Sequence, residues 1–234
     1  MSRMFPFITT TWNPLGGRCP HRCVYCWSQG EKGLVNRYGM QKYWGEPRLY
    51  ESEFKPFKPG EFVFVQDMSD LFANDVPSNF IESILNHVEK YPRTKFLLLT
   101  KNPSRYLNFI LSIPENCVLG ATIETNGWTS EKGNFYHSIS EAPHPLERID
   151  ALRELRDWDV PHQIMVSIEP ILDFDLGAFV GYLMDVDPDF VAVGYDNYHH
   201  KLPEPPLEKT LRLIRRLERF TKVYRKTVRK AWWE

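Results

Sequence analysis

The chain has 234 residues, a formal net charge of -1, 42% hydrophobic and 25% charged residues. That balance excludes general disorder and supplies one well-buried core, so a single domain over residues 1–234 is expected. No stretch approaches the roughly 18 apolar residues of a membrane span, and residues 1–6 (MSRMFP) lack the apolar core of a signal peptide. The expectation is a cytoplasmic protein with no membrane partner, read as a monomer.

Short apolar runs alternate with helical stripes, the pattern of βα units on a parallel sheet. The first strand is expected at Phe7–Thr11, followed by the turn Asn13–Gly17 and then Cys19, Cys23 and Cys26, a C-x3-C-x2-C loop with Tyr25 before its last cysteine. Three of the four cysteines fall within eight residues, too close for a disulfide framework in a domain of this size. Three thiolates on one loop can hold three irons of a 4Fe-4S cubane and leave the fourth iron open to a chelating substrate. Two alternatives stand beside this reading: His21 completes a Cys3His zinc site, or Cys23 and Cys26 form a redox pair that leaves Cys19 unexplained.

Further strands are expected at Glu61–Gln66, Lys95–Thr100, Cys117–Ile123, Ile164–Ile168 and Phe190–Val193, with a weaker seventh at Lys222–Lys226. Helical stripes lie between them: Phe80, Ile81, Ile84, Leu85 and Val88; Leu146, Ile149, Leu152 and Leu155; Leu207, Leu211, Ile214 and Leu217. The fold class is α/β, a partial (β/α)6 TIM-like barrel, in which functional residues gather at the C-terminal ends of the strands. Cys117 opens a strand, at the other end, as a buried structural thiol. Residues 27–59 and 124–145 are too long for simple connectors and are lids or surface insertions; the second holds Gly127, Gly133 and three aromatics. Residues 211–230 carry nine Lys/Arg against Glu218 alone, a local charge of +8. With Tyr224, Trp232 and Trp233, the basic segment 211–234 reads as a contact for nucleic acid or another anionic partner, or as a helix and strand that close the barrel.

The cysteine loop after the first strand resembles the radical S-adenosylmethionine (SAM) superfamily. The segments TTWNPLGG, VFVQDMSDLFANDVP, LLLTKNPSRY, GATIETN and VSIEPIL look like motifs of the phage-associated three-Cys-motif radical SAM family, itself similar to spore photoproduct lyase. The cysteine loop is more compact than in that family, and Gln66-Asp67 and residues 193–196 (VGYD) stand where its pattern has other residues. The resemblance implies a partial barrel in which Cys19, Cys23 and Cys26 hold a 4Fe-4S cluster. There the open iron binds SAM, and reduction by an electron donor cleaves it to methionine and a 5'-deoxyadenosyl radical.

It implies also that Asp67, Ser69 and Asp70 accept from the SAM ammonium, that Lys101 meets its carboxylate and that Tyr25 packs near its adenine. An Asx or Ser turn serves equally for the three residues after the second strand, an exposed strand-end lysine for Lys101 and a core aromatic for Tyr25. Thr122, Glu124 and Asn126 alternate out of one strand and Ser167 and Glu169 out of the next, so each set is expected to point one way, toward ribose hydroxyls. Glu124, Glu169 and Asp196 are the candidates for a catalytic or substrate-side role. Asn197, His199 and His200 follow Asp196 toward the same side. Glu124 and Glu169 serve structure instead if they pair with Lys101 or an arginine.

The function expected is hydrogen-atom abstraction from a large substrate, with nucleic acid modification ahead of peptide or protein modification. Outside enzymes, the alternative is an iron-sulfur or zinc protein that binds nucleic acid or senses redox state.

Overall fold

The structure is a computed structural model that describes residues 5–127 and 135–234. Gly133, and with it part of the second long connection, lies outside the described residues. Seven strands, β1 (Thr10–Trp12), β4 (Phe62–Val65), β5 (Lys95–Thr100), β6 (Cys117–Thr122), β7 (Gln163–Ile168), β8 (Phe190–Val193) and β9 (Lys222–Arg225), form one all-parallel sheet in that order. The small pair β2 (Leu15–Gly16) and β3 (Arg48–Leu49) is antiparallel and separate. Helices α2 (Ser78–Glu89), α3 (Pro145–Asp157), α4 (Leu176–Val186) and α5 (Leu207–Leu217) make the crossovers, and a 3-10 turn at Pro103–Asn108 replaces a helix between β5 and β6. The sheet curls without closing, a partial α/β barrel as the strand pattern predicts.

The period-2 alternation of strands builds two layers. Val63, Val65, Phe96, Leu98, Leu119, Ile164, Val166, Val191 and Val193 face outward into the core shared with Ile81, Leu152, Phe179 and Ile214 of the helices. Phe64, Leu97, Val118, Met165 and Ala192 point into the barrel. Extended along the chain, that inward register reaches Gln66, Lys101, Thr122, Glu124, Ser167, Glu169, Asp196 and Lys226, so the barrel turns from apolar floor to polar mouth along its own strands.

Three features depart from the sequence expectation. Phe7–Thr11 is not the first strand: it starts at Thr10, and residues 5–8 form a turn closed by the Ile8 N–H on the Phe5 carbonyl at 3.1 Å. Phe7 then packs against Phe62, Phe190 and Tyr224 at 5.2, 5.2 and 4.9 Å between ring centres, filling the open barrel from inside. Second, α4 has no counterpart among the expected stripes, although Asp175 caps it by accepting from the Ala178 N–H at 2.7 Å. Third, residues 27–59, with the short helix α1 (Leu34–Tyr38), are strapped to the barrel. The Trp12 indole N–H donates to the Glu53 carbonyl at 2.7 Å, and Lys42 bridges the Asn13 carbonyl and Glu53 at 2.5 and 2.7 Å.

The basic segment supplies α5 and β9. Its tail is pinned by Glu204, which takes a forked pair of hydrogen bonds from Arg229, while the indole N–H groups of Trp232 and Trp233 donate to the Leu202 and Glu204 carbonyls. Cys117 is buried at the start of β6, where burial pushes its thiol well up. Among the described residues no helix is long and apolar enough to cross a membrane.

Gly17 anchors the insertion to the cysteine loop. Its φ is +104°, its N–H donates to the Lys42 carbonyl at 2.9 Å, and a Cβ there would stand 2.7 Å from the Glu46 carbonyl oxygen. Both the backbone conformation and the contact exclude a side chain. Gly17→Ala is expected to destabilise the protein by about 2–3 kcal/mol in urea unfolding; a change below about 0.5 kcal/mol would contradict this placement.

Candidate functional site

The C-terminal ends of the strands surround a cavity of about 320 Å³. Cys19, Cys23 and Cys26 all line it, as do Tyr25, Asp67, Ser69, Asp70, Lys101, Thr122, Ser167, Glu169 and Asp196. Of the cofactor-binding and catalytic candidates read from sequence, Glu124 and Asn126 do not line it, nor do His199 and His200 of the loop after β8.

Two glutamines hold the cysteine loop in place. Gln29 accepts from the Cys19 N–H at 2.7 Å, donates its side-chain amide to the Gly17 and Met68 carbonyls, and sends its own N–H to the Cys26 sulfur at 3.2 Å. Gln66, at φ +64°, pairs with both backbone groups of Leu15 at 3.0 and 2.9 Å, as a neighbouring strand would, and donates to Ser69 at 2.7 Å. Neither residue was singled out from sequence as a holder of this loop. The Cys23 sulfur lies 3.1 Å from the Ser140 hydroxyl.

The donor set fits an iron-sulfur cluster. All four cysteines are free. Burial raises the Cys19 and Cys23 thiols, and the neighbouring cysteines raise them further, an arrangement that bound cations would reverse. His21 is turned away from the role of fourth ligand: its Nε2 lies 2.7 Å from Asp70 Oδ2 in a buried pair. Among the described residues no three or more His, Cys, Asp or Glu side chains gather as ligands of one ion. A cubane asks instead for three thiolates around a shared space, one to each iron.

Asp70 serves this framework. Besides His21 it accepts from the Thr100 hydroxyl at 2.7 Å, the Lys101 N–H at 2.8 Å and the Phe72 N–H at 2.9 Å. Burial opposes its ionisation, but these partners outweigh burial and hold its carboxyl below the ordinary range. Asp67 accepts from the Asn13 side chain at 2.6 Å, and burial raises its carboxyl. The hydroxyls of Thr122 and Ser167 have no hydrogen-bond partner among the described residues and border the cavity.

Glu124 departs from the open-mouth expectation, because it is fully buried. One oxygen receives Tyr25, Lys101 and Tyr136; the other receives Arg148 at 2.8 Å, and Lys101 also reaches the Tyr25 hydroxyl at 2.6 Å. Burial would raise this carboxyl, yet Arg148 and Lys101 bring it down to about 2. Asn126 does not share its direction: the strand has ended, and its side chain pairs with the Asp175 backbone at 3.0 and 3.3 Å.

Across the mouth, Glu169 pairs with Lys226 and accepts from Asn197 at 3.2 Å, while Lys226 lies 4.3 Å above the Phe5 ring. Burial still pushes the Glu169 carboxyl up. The partner is Lys226 of β9, which sequence reasoning passed over as part of a basic run. Gly194 makes the room, since a Cβ there would approach the Glu169 carboxylate to 3.0 Å. Asp196 accepts from the Tyr198 and His200 N–H groups at 3.0 and 2.6 Å and from His200 Nδ1 at 3.0 Å.

Solved structures share this architecture. Spore photoproduct lyase complexed with dinucleoside spore photoproduct superposes with a TM-score of 0.62 at 11% identity, over 91% of this chain and 75% of that one. A double mutant of the lyase with bound AdoMet and dinucleoside spore photoproduct gives 0.58 at 10%, over 94% and 65%. Streptococcus suis SuiB bound to S-adenosylmethionine gives 0.53 at 11%, over 94% and 50%. This chain thus spans just under two thirds of the AdoMet-bound lyase and half of SuiB. The fold is the partial barrel of the radical SAM type. By sequence the chain belongs to the family described as "Protein of unknown function (DUF5131)", which it matches over residues 4–194. No curated protein matches it.

Glu124→Gln leaves Arg148 buried beside a neutral amide and is expected to cost about 3–5 kcal/mol at neutral pH. The folded carboxyl lies below its unfolded value of 4.5, so its contribution is complete above that value and is lost as pH falls toward about 2. The stability gap between wild type and variant, read from thermal melts, therefore closes between pH 4.5 and about 2. A gap independent of pH would mean that Glu124 carries no charge in the fold.

Proposed function

We propose that this chain is a radical SAM enzyme. The observation that carries the reading is the convergence of Cys19, Cys23 and Cys26 on the same cavity as Lys101, Thr122 and Ser167, at the strand ends of this fold. With both cofactors bound, a reduced 4Fe-4S cluster would cleave SAM to methionine and a 5'-deoxyadenosyl radical that takes a hydrogen atom from the substrate.

The chain's own residues bind and orient. The three cysteines hold the cluster, and Asp67 and Ser69 offer acceptors for the SAM ammonium. Lys101 offers a cation for its carboxylate, held ready by Tyr25 and Glu124. Thr122 and Ser167 turn unpartnered hydroxyls toward the ribose. Tyr25 borders the cavity near the place expected for adenine, but its hydroxyl is committed to Glu124. Asp70, with its carboxylate already satisfied, acts by fixing His21 and the end of β5. Glu169, Lys226 and Asp196 stand on the side left for the substrate.

The AdoMet and S-adenosylmethionine in the structural neighbours support the same assignment, as does the resemblance of the cysteine loop to the radical SAM motif. A cluster on thiolates needs a reducing compartment and an electron donor, which supports a cytoplasmic setting.

Anaerobic reconstitution with iron and sulfide, followed by SAM and dithionite, tests the assignment by the amount of 5'-deoxyadenosine formed. Wild type is expected to form it and the Cys19→Ala/Cys23→Ala/Cys26→Ala variant to form none. A loaded wild-type cluster that leaves SAM intact would overturn the reading.

A further inference from the structure

Beyond the residues assigned to the cluster and to SAM, the cavity wall carries two carboxylates, Glu169 after β7 and Asp196 after β8. Asp196 is taken up by its own loop, since it accepts from the Tyr198 and His200 N–H groups and from His200 Nδ1. Asn197 is committed as well: it donates to Glu169 at 3.2 Å and accepts from the Thr227 hydroxyl at 2.6 Å.

The pair of Glu169 and Lys226 differs from both. Among the described residues the Glu169 carboxylate receives only Lys226 and Asn197, and the Lys226 ammonium turns only to Glu169 and to the face of Phe5, 4.3 Å from its ring centre. A carboxylate accepts about four hydrogen bonds and an ammonium donates three, so each keeps capacity to spare. The Glu169 side chain is 15% exposed and lines the cavity together with Lys226. Glu124, by contrast, has all its donors inside the protein and is sealed from that space. The backbone leaves room for the open pair: a Cβ on Gly194 would stand 3.0 Å from Glu169 Oε1 and 3.1 Å from Lys226 Cβ, crowding both partners.

Two properties of the pair define what fits it. It is neutral as a whole, so a charged ligand group would give up its water to a site with no net charge to offset the loss. Its acceptor and its donor are one hydrogen bond apart, so a ligand that uses both carries a donor and an acceptor side by side on one edge. A trans amide holds its N–H and C=O on opposite sides; an amide closed into a small ring holds them on the same side. Phe5, Phe64 and Leu99 supply an apolar lining to the same cavity, which suits the body of such a ring.

Resting on the radical SAM reading, we propose that Glu169 and Lys226 are the substrate-recognition pair and that the group they receive is an uncharged cyclic amide. Its N–H donates to Glu169, its carbonyl accepts from Lys226, and its ring lies among Phe5, Phe64 and Leu99. The pair thereby selects which part of the substrate is presented to the radical.

Saturation-transfer NMR titrations of the full chain test this, with SAM in excess to keep small probes out of its own subsite. δ-Valerolactam has the cis edge, its N-methyl derivative lacks the donor, N-ethylpropanamide holds the same groups trans, and 5-aminovalerate is the opened ring with both charges. Wild type is expected to bind δ-valerolactam about fivefold or more tightly than each of the other three, the worth of one hydrogen bond. Glu169→Leu/Lys226→Met exchanges the pair for apolar side chains of similar size, which buried ion pairs commonly tolerate, and is expected to bring that preference below about twofold in a protein that still melts cooperatively. If this variant does not fold, the wild-type ranking decides alone. Equal or tighter binding of any of the three controls, no binding of the lactam, or a folded double variant that keeps the preference would each overturn the proposal. Deoxyadenosine formation is scored separately on wild type: SAM cleavage without lactam preference removes the recognition pair alone, whereas lactam preference in a chain that never cleaves SAM keeps the pair and removes the enzyme.

Discussion

A buried carboxylate organises the mouth of this barrel. Glu124 lies one inward position beyond Thr122, the last residue of β6, where water cannot stabilise its charge. Its stability depends on groups delivered by four separate elements: Tyr25 from the cysteine loop, Lys101 from the end of β5, Tyr136 from the 3-10 turn before α3, and Arg148 from α3 itself. Since a bare carboxylate there would cost several kcal/mol, the partners are held where the charge needs them. Tyr25 sits between Cys23 and Cys26, so the same constraint fixes the loop that presents the sulfurs.

The second support comes from amide side chains. Gln29 and Gln66 each satisfy both donors and acceptors of backbone that belongs to no extended ladder, and the insertion adds Lys42 and Gly45 carbonyls for the Gly17 and Arg18 N–H groups. A loop that must keep three sulfurs toward one cavity cannot rely on a sheet for its hydrogen bonds, and this chain supplies them from neighbouring segments. The long insertion thus has a physical task beside the barrel, as the brace of the cysteine loop.

Most strands were legible because a parallel strand is buried on both faces and reads as an apolar run; EFVFVQ, KFLLLT and FVAV lie at β4, β5 and β8. Phe5 and Phe7 gave the same apolar signal for a different reason, since they fill the interior of an open sheet. The helix α4 escaped notice although Asp175 and the spacing of Phe179, Val180, Leu183 and Val186 mark it. Within the site, the cysteines and the strand-end residues follow from motif and register. Gln29, Gln66, Lys226 and Arg148 do not: each acts on a partner brought near only by the fold, 57 residues away for Lys226 and Glu169. Asn126 shows the limit of register, which orders side chains only while the strand continues.

The central claim is that Cys19, Cys23 and Cys26 bind three irons of a 4Fe-4S cluster and leave the fourth for SAM. Mössbauer spectroscopy of protein reconstituted with iron-57 reads the irons separately. The account predicts four irons per chain, one of which changes its signal when SAM is added while the other three do not. Four irons that ignore SAM, or a chain that takes up one tetrahedral metal ion in their place, would contradict it.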